Sequence, residues 1–161
     1  MFSPENKVSW ESVQIPINPE TALKLFSHKL SSYEQLEINE YPEIYHIGAG
    51  ANKLKPISGV FNFDDDKGDY KLFIGDHIAY RYEIVQVLGS GSFGKVYQVY
   101  DHKEKQEIAL KIIKNKPKFS ENAENEIDIL KYLKEKDPGG NYNIVHLKEN
   151  FTFRKHTVTA I

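Results

Sequence analysis

The sequence predicts an α+β fold in which a small antiparallel sheet carries one packed helix and follows a short region with one helix of its own. Two observations support this prediction. Residues 82–161 contain five short segments rich in β-branched and aromatic residues, with turn-forming residues between them, and the last two are predicted strands at residues 144–153 and 156–161. One longer segment, residues 120–136, has the apolar spacing of a helix and interrupts this series of strands.

Composition limits the classes of function. The chain has 161 residues and a formal net charge of -2, so bulk charge gives no reason to expect binding to nucleic acid or to a membrane surface. It contains no cysteine, which excludes disulfides and thiolate metal sites and is typical of an intracellular protein. No apolar run approaches the ~20 residues of a membrane span. The histidines are scattered along the sequence, so we expect no resident metal site.

The region before the strands divides into two parts. Residues 1–17 are polar and contain two prolines, which predicts a flexible lead-in. Residues 18–75 open with Asn-Pro-Glu, which predicts a helix from Pro19 to about Leu36, and they continue as an irregular segment. The acidic run at residues 64–68 favours a solvated turn over a Ca²⁺ loop, which would need more oxygen ligands and a distal glutamate. Residues 76–161 form the strand-rich part.

The segment at residues 88–96 is a glycine-rich loop between two predicted strands. Its glycines let the backbone approach an anion closely, Phe93 can cap the loop, and Val96 resumes a strand. Dinucleotide-binding folds share the G-x-G-x-x-G pattern, but there the loop opens a helix, whereas residues 96–100 alternate as a strand does. The order strand, loop, strand therefore favours a loop that covers phosphates.

A lysine lies among apolar residues in the strand predicted at residues 107–113. Alternation along this strand places Lys111 on the same face as Ala109 and Ile113. The ammonium group therefore either extends to the edge of the sheet or is held in place for an anion.

A glutamate lies within the apolar stripe of the helix predicted at residues 120–136. We expect Ser120 to cap this helix, and its spacing places Glu126 at the centre of the stripe. An unpaired carboxylate is costly in such a position. Glu126 therefore either pairs with a cation such as Lys111 or lies at an exposed margin of a rotated helix.

Taken together, these motifs resemble the N-terminal lobe of a eukaryotic protein kinase over residues 82–161. Four further segments resemble the dual-specificity tyrosine-regulated kinases, the DYRK family: residues 41–45, 64–68, 76–83 and 149–154. The helix and the irregular segment before the strands are similar to the accessory region of the class II members. The resemblance implies a five-stranded sheet with a packed helix, protein substrates, and a location in the cytoplasm or nucleus.

The resemblance also implies roles for individual residues. The glycine loop would lie over the phosphates of ATP, and Lys111, positioned by Glu126, would contact the α- and β-phosphates. The residues implied to bind ATP are Leu88, Gly89, Ser90, Gly91, Ser92, Phe93, Gly94, Lys95, Val96, Ala109 and Lys111. Val145 and Ile161 would line the back of the pocket, although family members usually carry a bulky aromatic residue where Ile161 falls.

The catalytic motifs of a protein kinase do not occur in the sequence. Such enzymes use a catalytic-loop aspartate, an asparagine, and a DFG aspartate that binds Mg²⁺. The ligands of the Mg²⁺ that accompanies ATP would therefore lie outside this chain, in the C-terminal lobe, and we expect the chain alone to be inactive. The favoured interpretation is the N-terminal part of a dual-specificity kinase. The alternatives are a non-catalytic interaction module and a pseudokinase that binds nucleotide without transfer.

Overall fold

A computed structural model describes residues 8–141 and 146–161. Its helices are α1 (Pro19–Phe26), α2 (Ser32–Glu37) and α3 (Pro117–Lys136), with single 3₁₀ turns at Trp10–Ser12, Ser27–Lys29 and Ile38–Glu40. Its strands are β1 (His77–Ile78), β2 (Tyr82–Gly91), β3 (Gly94–Asp101), β4 (Gln106–Ile113), β5 (Glu149–Phe153) and β6 (His156–Ala160). Within the described ranges, no helix is long and apolar enough to cross a membrane.

The strands form one sheet in the order β1-β2-β3-β4-β6-β5. β1 is antiparallel to β2, and β6 is antiparallel to both β4 and β5. Tight turns join β2 to β3 and β3 to β4, and such turns connect antiparallel neighbours. The predicted α+β class is confirmed. The sheet has a sixth strand, β1, which is too short for a periodic pattern to reveal.

The described chain consists of two compact units. The first contains the residues up to Phe61 together with Phe73–Ile84 and Tyr100–Gln106. The second contains Asn62–Leu72, Val85–Val99 and Glu107–Ile161. The first unit has its own apolar core, in which the fully buried side chains are Ala22, Phe26, Ile38, Ile44, Ile47 and Tyr80.

The region predicted as a single helix contains two short ones. α1 begins as predicted, because the Asn18 side chain accepts a hydrogen bond from the N–H of Thr21 at 2.8 Å. A 3₁₀ turn then interrupts the helix. α2 begins with a capping box, in which the Ser31 hydroxyl accepts from the N–H of Glu34 and the Glu34 carboxylate accepts from the N–H of Ser31. The Ser-x-x-Glu pattern in the sequence was the signal for this second start.

The acidic run at residues 64–68 forms a turn that one of its own aspartates stabilises. One carboxylate oxygen of Asp65 accepts hydrogen bonds from the N–H groups of Lys67 and Asp69, at 2.9 and 3.0 Å. The chain therefore turns here as sequence alone predicts, with the aspartate bonded to backbone.

α3 begins earlier than predicted, at Pro117, and Ser120 is not its cap. Proline is favoured at the first position of a helix because the N–H it lacks would have no partner there. The apolar stripe packs against β6, and Ala123 and Ile127 on it are buried. The strand predicted from residue 144 begins at Glu149, and residues 144 and 145 lie outside the described ranges.

Candidate functional site

The glycine-rich loop is the turn between β2 and β3. Gly94 has a φ of +146°, and a Cβ atom there would lie 2.2 Å from the carbonyl oxygen of Ile112, so packing of the protein itself requires glycine. Gly89 differs, because apart from its two chain neighbours no other described residue has a heavy atom within 4 Å of the position that a Cβ would take. Folding therefore does not require glycine at position 89, and the open space there suits the close approach of a ligand.

The tip of the loop contacts β4 and the segment that follows it. The carbonyl oxygen of Phe93 accepts a hydrogen bond from the N–H of Lys114 at 2.8 Å. The ammonium nitrogen of Lys111 lies 4.6 Å from the centre of the Phe93 ring, which is a cation–π distance. The loop and the lysine thus lie together, although separate strands carry them.

Lys111 and Glu126 form an ion pair. The ammonium nitrogen of Lys111 donates to both carboxylate oxygens, at 2.8 and 3.1 Å. The Lys111 side chain is 19% exposed and that of Glu126 is 47% exposed. The sequence allowed Glu126 either to pair with a cation or to lie at an exposed margin, and both hold in part. Glu126 pairs with Lys111 and yet remains in contact with solvent. A pair this exposed contributes at most about 1 kcal/mol to folding, so its main effect is to hold the ammonium group in one position.

The apolar residues predicted to surround the adenine ring differ in exposure. Leu88 is 55% exposed, while Val96 and Ala109 are half-buried. Ala109 and Ile161 exchange two backbone hydrogen bonds, of 3.0 and 3.3 Å, so these two predicted pocket residues are neighbours. Val145 lies outside the described residues.

A cavity of about 540 Å³ lies between the acidic turn and the glycine loop. Its lining carries charges of both signs, with Asp65, Asp69, Lys95 and Lys114 among the contributing residues. The lining also includes Ser90 and Gly91 of the glycine loop, but not Lys111, Leu88, Val96 or Ala109. The cavity therefore involves part of the glycine loop that the resemblance assigns to ATP, but not Lys111.

The comparisons with known proteins agree with this geometry. Residues 82–160 match the family model described as "Protein kinase domain". This part of the chain, from β2 to β6, is the N-terminal-lobe region of a protein kinase domain.

The relatives define the family more narrowly. The chain is 46% identical over 158 residues to "Dual specificity tyrosine-phosphorylation-regulated kinase 3" of Mus musculus, a match that covers 96% of this chain and 27% of the relative. It is 44% identical over 146 residues to the human kinase 4 of the same name, covering 89% and 28%. It is 43% identical over 141 residues to the kinase mbk-2 of Caenorhabditis briggsae, covering 86% and 17%. The chain belongs to the DYRK family and spans about a quarter or less of the length of these relatives.

Proposed function

We propose that the chain is the ATP-binding portion of a dual-specificity protein kinase, which transfers the γ-phosphate of ATP to hydroxyl groups of proteins when the C-terminal lobe is present. The observation that carries the proposal is the bond of 2.8 Å between Lys111 and Glu126, next to the glycine loop. A lysine held by a carboxylate is a fixed positive charge, and phosphoryl transfer depends on fixed charges that position the nucleotide.

Each residue of the site has a role in this proposal. Backbone N–H groups of residues 89–94 bind phosphate oxygens, since backbone can come closer to an anion than side chains can. Lys111 contacts the α- and β-phosphates and Glu126 positions it. The adenine ring lies among Leu88, Val96 and Ala109, with Val145 and Ile161 behind it. ATP supplies the phosphoryl group, and the Mg²⁺ ligands lie outside this chain.

The same proposal covers the rest of the chain. Residues 18–75 are an accessory region and residues 76–161 belong to the kinase domain. The match of residues 82–160 to the kinase family model supports the second range, and the match to the murine relative over 96% of the chain supports a shared region before it. Proteins are the substrates, and the protein acts inside the cell.

Isothermal titration with ATP tests the site in the chain itself. We expect Lys111→Ala to weaken ATP binding at least tenfold, because the variant loses the ammonium group that contacts the α- and β-phosphates in this proposal. The matched control is Lys131→Ala, which removes the same charge from the exposed face of α3 and should bind ATP as the wild type does. Equal affinities for wild type and Lys111→Ala would exclude the assigned role of Lys111.

Alanine variants of Gly89 and Gly94 distinguish an effect on ATP binding from an effect on folding. Gly89→Ala introduces a Cβ into open space, so it should leave the unfolding free energy unchanged and still weaken ATP binding. Gly94→Ala should instead destabilise the chain by about 1–3 kcal/mol, because its backbone conformation is strained for alanine. An unchanged ATP affinity in Gly89→Ala would argue against phosphates over this part of the loop.

A further inference from the structure

We propose that the cavity between the acidic turn, residues 65–69, and the glycine loop binds a small zwitterion, with an ammonium group at Asp69 and a carboxylate group at Lys95 and Lys114. All of these residues belong to the second compact unit. The site shares part of the glycine loop with the proposed ATP site but does not involve Lys111, so it can be tested separately.

The cavity has the size of a ligand site and carries charges of both signs. Its volume of about 540 Å³ lies within the roughly 300–1,000 Å³ that is typical of small-molecule sites. Within the described ranges, no ion pair joins any two of the charged residues that line it. Both kinds of group are therefore available to a ligand. These charged residues are Asp65, Asp66, Asp69, Lys67, Lys95 and Lys114.

Asp69 is the residue that indicates a ligand. It is 6% exposed and lines the cavity. Its carboxylate accepts no hydrogen bond and joins no ion pair in the part of the chain that the structure describes. Burial and the charge of Asp69 raise the pKa of the Tyr97 hydroxyl, so this neighbour is neutral and does not balance the carboxylate. Because a buried carboxylate normally has a cation or hydrogen-bond donors beside it, a cationic group in the cavity would supply what Asp69 lacks.

Hydrogen bonds hold both sides of the cavity in place. The N–H of Asn115 donates to the carbonyl oxygen of Gly68 at 2.8 Å, and the Asn115 side chain donates to Asp64 at 2.9 Å. The N–H of Lys114 donates to the carbonyl oxygen of Phe93 at 2.8 Å. The segment after β4 thus joins the acidic turn to the glycine loop. The cavity is therefore formed before a ligand enters, which lowers the entropic cost of binding.

The arrangement does not suit a metal ion. One carboxylate oxygen of Asp65 already accepts from the N–H groups of Lys67 and Asp69. Among the described residues, the carboxylates of this cavity do not place three ligand atoms within 4.8 Å of one another. The ammonium groups in the same lining would also repel a divalent cation. An organic ammonium group needs no coordination shell and can pair with a single carboxylate.

The lysines indicate the second charge of the ligand. Lys95 and Lys114 are half-buried and line the cavity from β3 and from the segment after β4. These ammonium groups would repel a ligand that is only positive, and the aspartates would repel one that is only negative. A molecule with an ammonium group at one end and a carboxylate group at the other meets an opposite charge at both ends. This pattern is the reason to assign a zwitterion.

NMR titration of the ¹⁵N-labelled chain with 6-aminohexanoate tests the site. We expect saturable shifts of the amide signals of Asp69, Ser90 and Gly91. Hexylamine and hexanoate each carry only one of the two charges and should bind at least tenfold more weakly. The shorter 4-aminobutanoate and the longer 8-aminooctanoate vary the distance between the charges. The absence of saturable shifts with all three amino acids would overturn the proposal, as would equal affinity for hexylamine or hexanoate.

Variants of the chain locate the binding. Asp69→Asn keeps the shape of the side chain and removes its charge, so it should weaken binding of 6-aminohexanoate at least tenfold, and Lys114→Ala should do the same. The matched control is Asp128→Asn, which makes the same change on the exposed face of α3 and should bind as the wild type does. Wild-type affinity in both Asp69→Asn and Lys114→Ala would contradict the proposal.

Two further measurements separate this site from folding and from ATP. Circular dichroism shows whether the variants fold, and if Asp69→Asn does not, Lys114→Ala decides. Lys111→Ala should keep the affinity for 6-aminohexanoate, and Asp69→Asn should keep the affinity for ATP. Loss of 6-aminohexanoate binding in Lys111→Ala would overturn the proposal, because the ligand would then occupy the proposed ATP site.

Discussion

Glu34 links the start of a helix to a buried polar cluster. One carboxylate oxygen accepts from the N–H of Ser31 and completes the capping box of α2. The other accepts from Nε2 of His77 and from the ammonium of Lys53. Nδ1 of His77 accepts from the N–H of Tyr80, so Nε2 must carry the proton that His77 donates to Glu34. The side chain is buried and accepts hydrogen bonds from Ser31, His77 and Lys53, which stabilises the charged form.

This environment makes the first unit sensitive to acid. Burial alone raises the pKa of Glu34, but the hydrogen bond from His77 and the positive charge of Lys53 outweigh it and hold the pKa well below the ordinary 4.5. Because the pKa is lower in the folded chain, the stabilisation is complete above about pH 5 and is lost as the pH falls. We expect urea denaturation between pH 7 and pH 3 to show a decreasing free energy of unfolding.

Replacement of Glu34 measures how much its carboxylate contributes to the free energy of unfolding and to its pH dependence. Glu34→Gln should cost about 3–5 kcal/mol at pH 7, because it leaves buried donors without their charged partner, and it should flatten the pH dependence. Glu40→Gln removes the same charge from an exposed position nearby and should change neither quantity. A Glu34→Gln variant with the pH dependence of the wild type would show that other carboxylates cause the acid sensitivity.

Among single residues, the sequence offered the pairing of Lys111 with Glu126 as one of two alternatives, because an unpaired carboxylate is costly in an apolar stripe, and the structure contains this pair. It did not pair Glu34 with His77 and Lys53, because no local pattern marks a contact between residues so far apart in the chain. Glu34 and Glu126 also differ in their exposure to solvent. Glu34 contributes to stability, whereas the half-exposed Glu126 mainly fixes a position.

Among the elements, α3 carries Glu126 and is anchored by one face. Ile127 is 6% exposed on the stripe that packs against the sheet, and Ile129 is 59% exposed. We expect Ile127→Ala to lower the free energy of unfolding by about 2–5 kcal/mol, because it leaves a cavity under the helix. Ile129→Ala makes the same chemical change on the exposed face and should shift it by no more than about 0.5 kcal/mol.

Urea denaturation followed by circular dichroism measures both variants. If Ile127→Ala and Ile129→Ala lowered the free energy of unfolding by similar amounts, the packing of α3 would not depend on the face that carries Ile127. A lower ATP affinity in Ile127→Ala at temperatures where it remains folded would further indicate that the helix positions Glu126.

The helices show which element boundaries local sequence could predict. The start of α1 was predictable because Asn18 and Pro19 act within one turn. The start of α2 also has a signal within one turn, the capping box. This signal lies inside a continuous apolar pattern, and that pattern predicted a single helix. Strand β1 was not predictable, since two residues carry no period and their assignment depends on pairing with β2.

At the scale of the whole molecule, we expect the chain alone to transfer no phosphate. Its sequence contains no catalytic-loop aspartate and no DFG motif, and the lysine and glycine loop proposed to bind ATP include no group that would activate a hydroxyl group. Incubation of the purified chain with Mg²⁺, labelled ATP and a generic protein substrate measures this. The Lys111→Ala variant is the control for a contaminating kinase, because a contaminant would label both samples equally. Labelling by the wild type that Lys111→Ala abolishes would contradict the expectation.

The fold class and the glycine loop could be predicted from the sequence, because each depends on the spacing of residues within neighbouring elements. The sequence also offered the pairing of Lys111 with Glu126 as one of two alternatives. The exposure of Glu126 and the buried cluster around Glu34 became known only from the tertiary structure. These features depend on contacts between distant segments, and a single sequence records no distances between such segments.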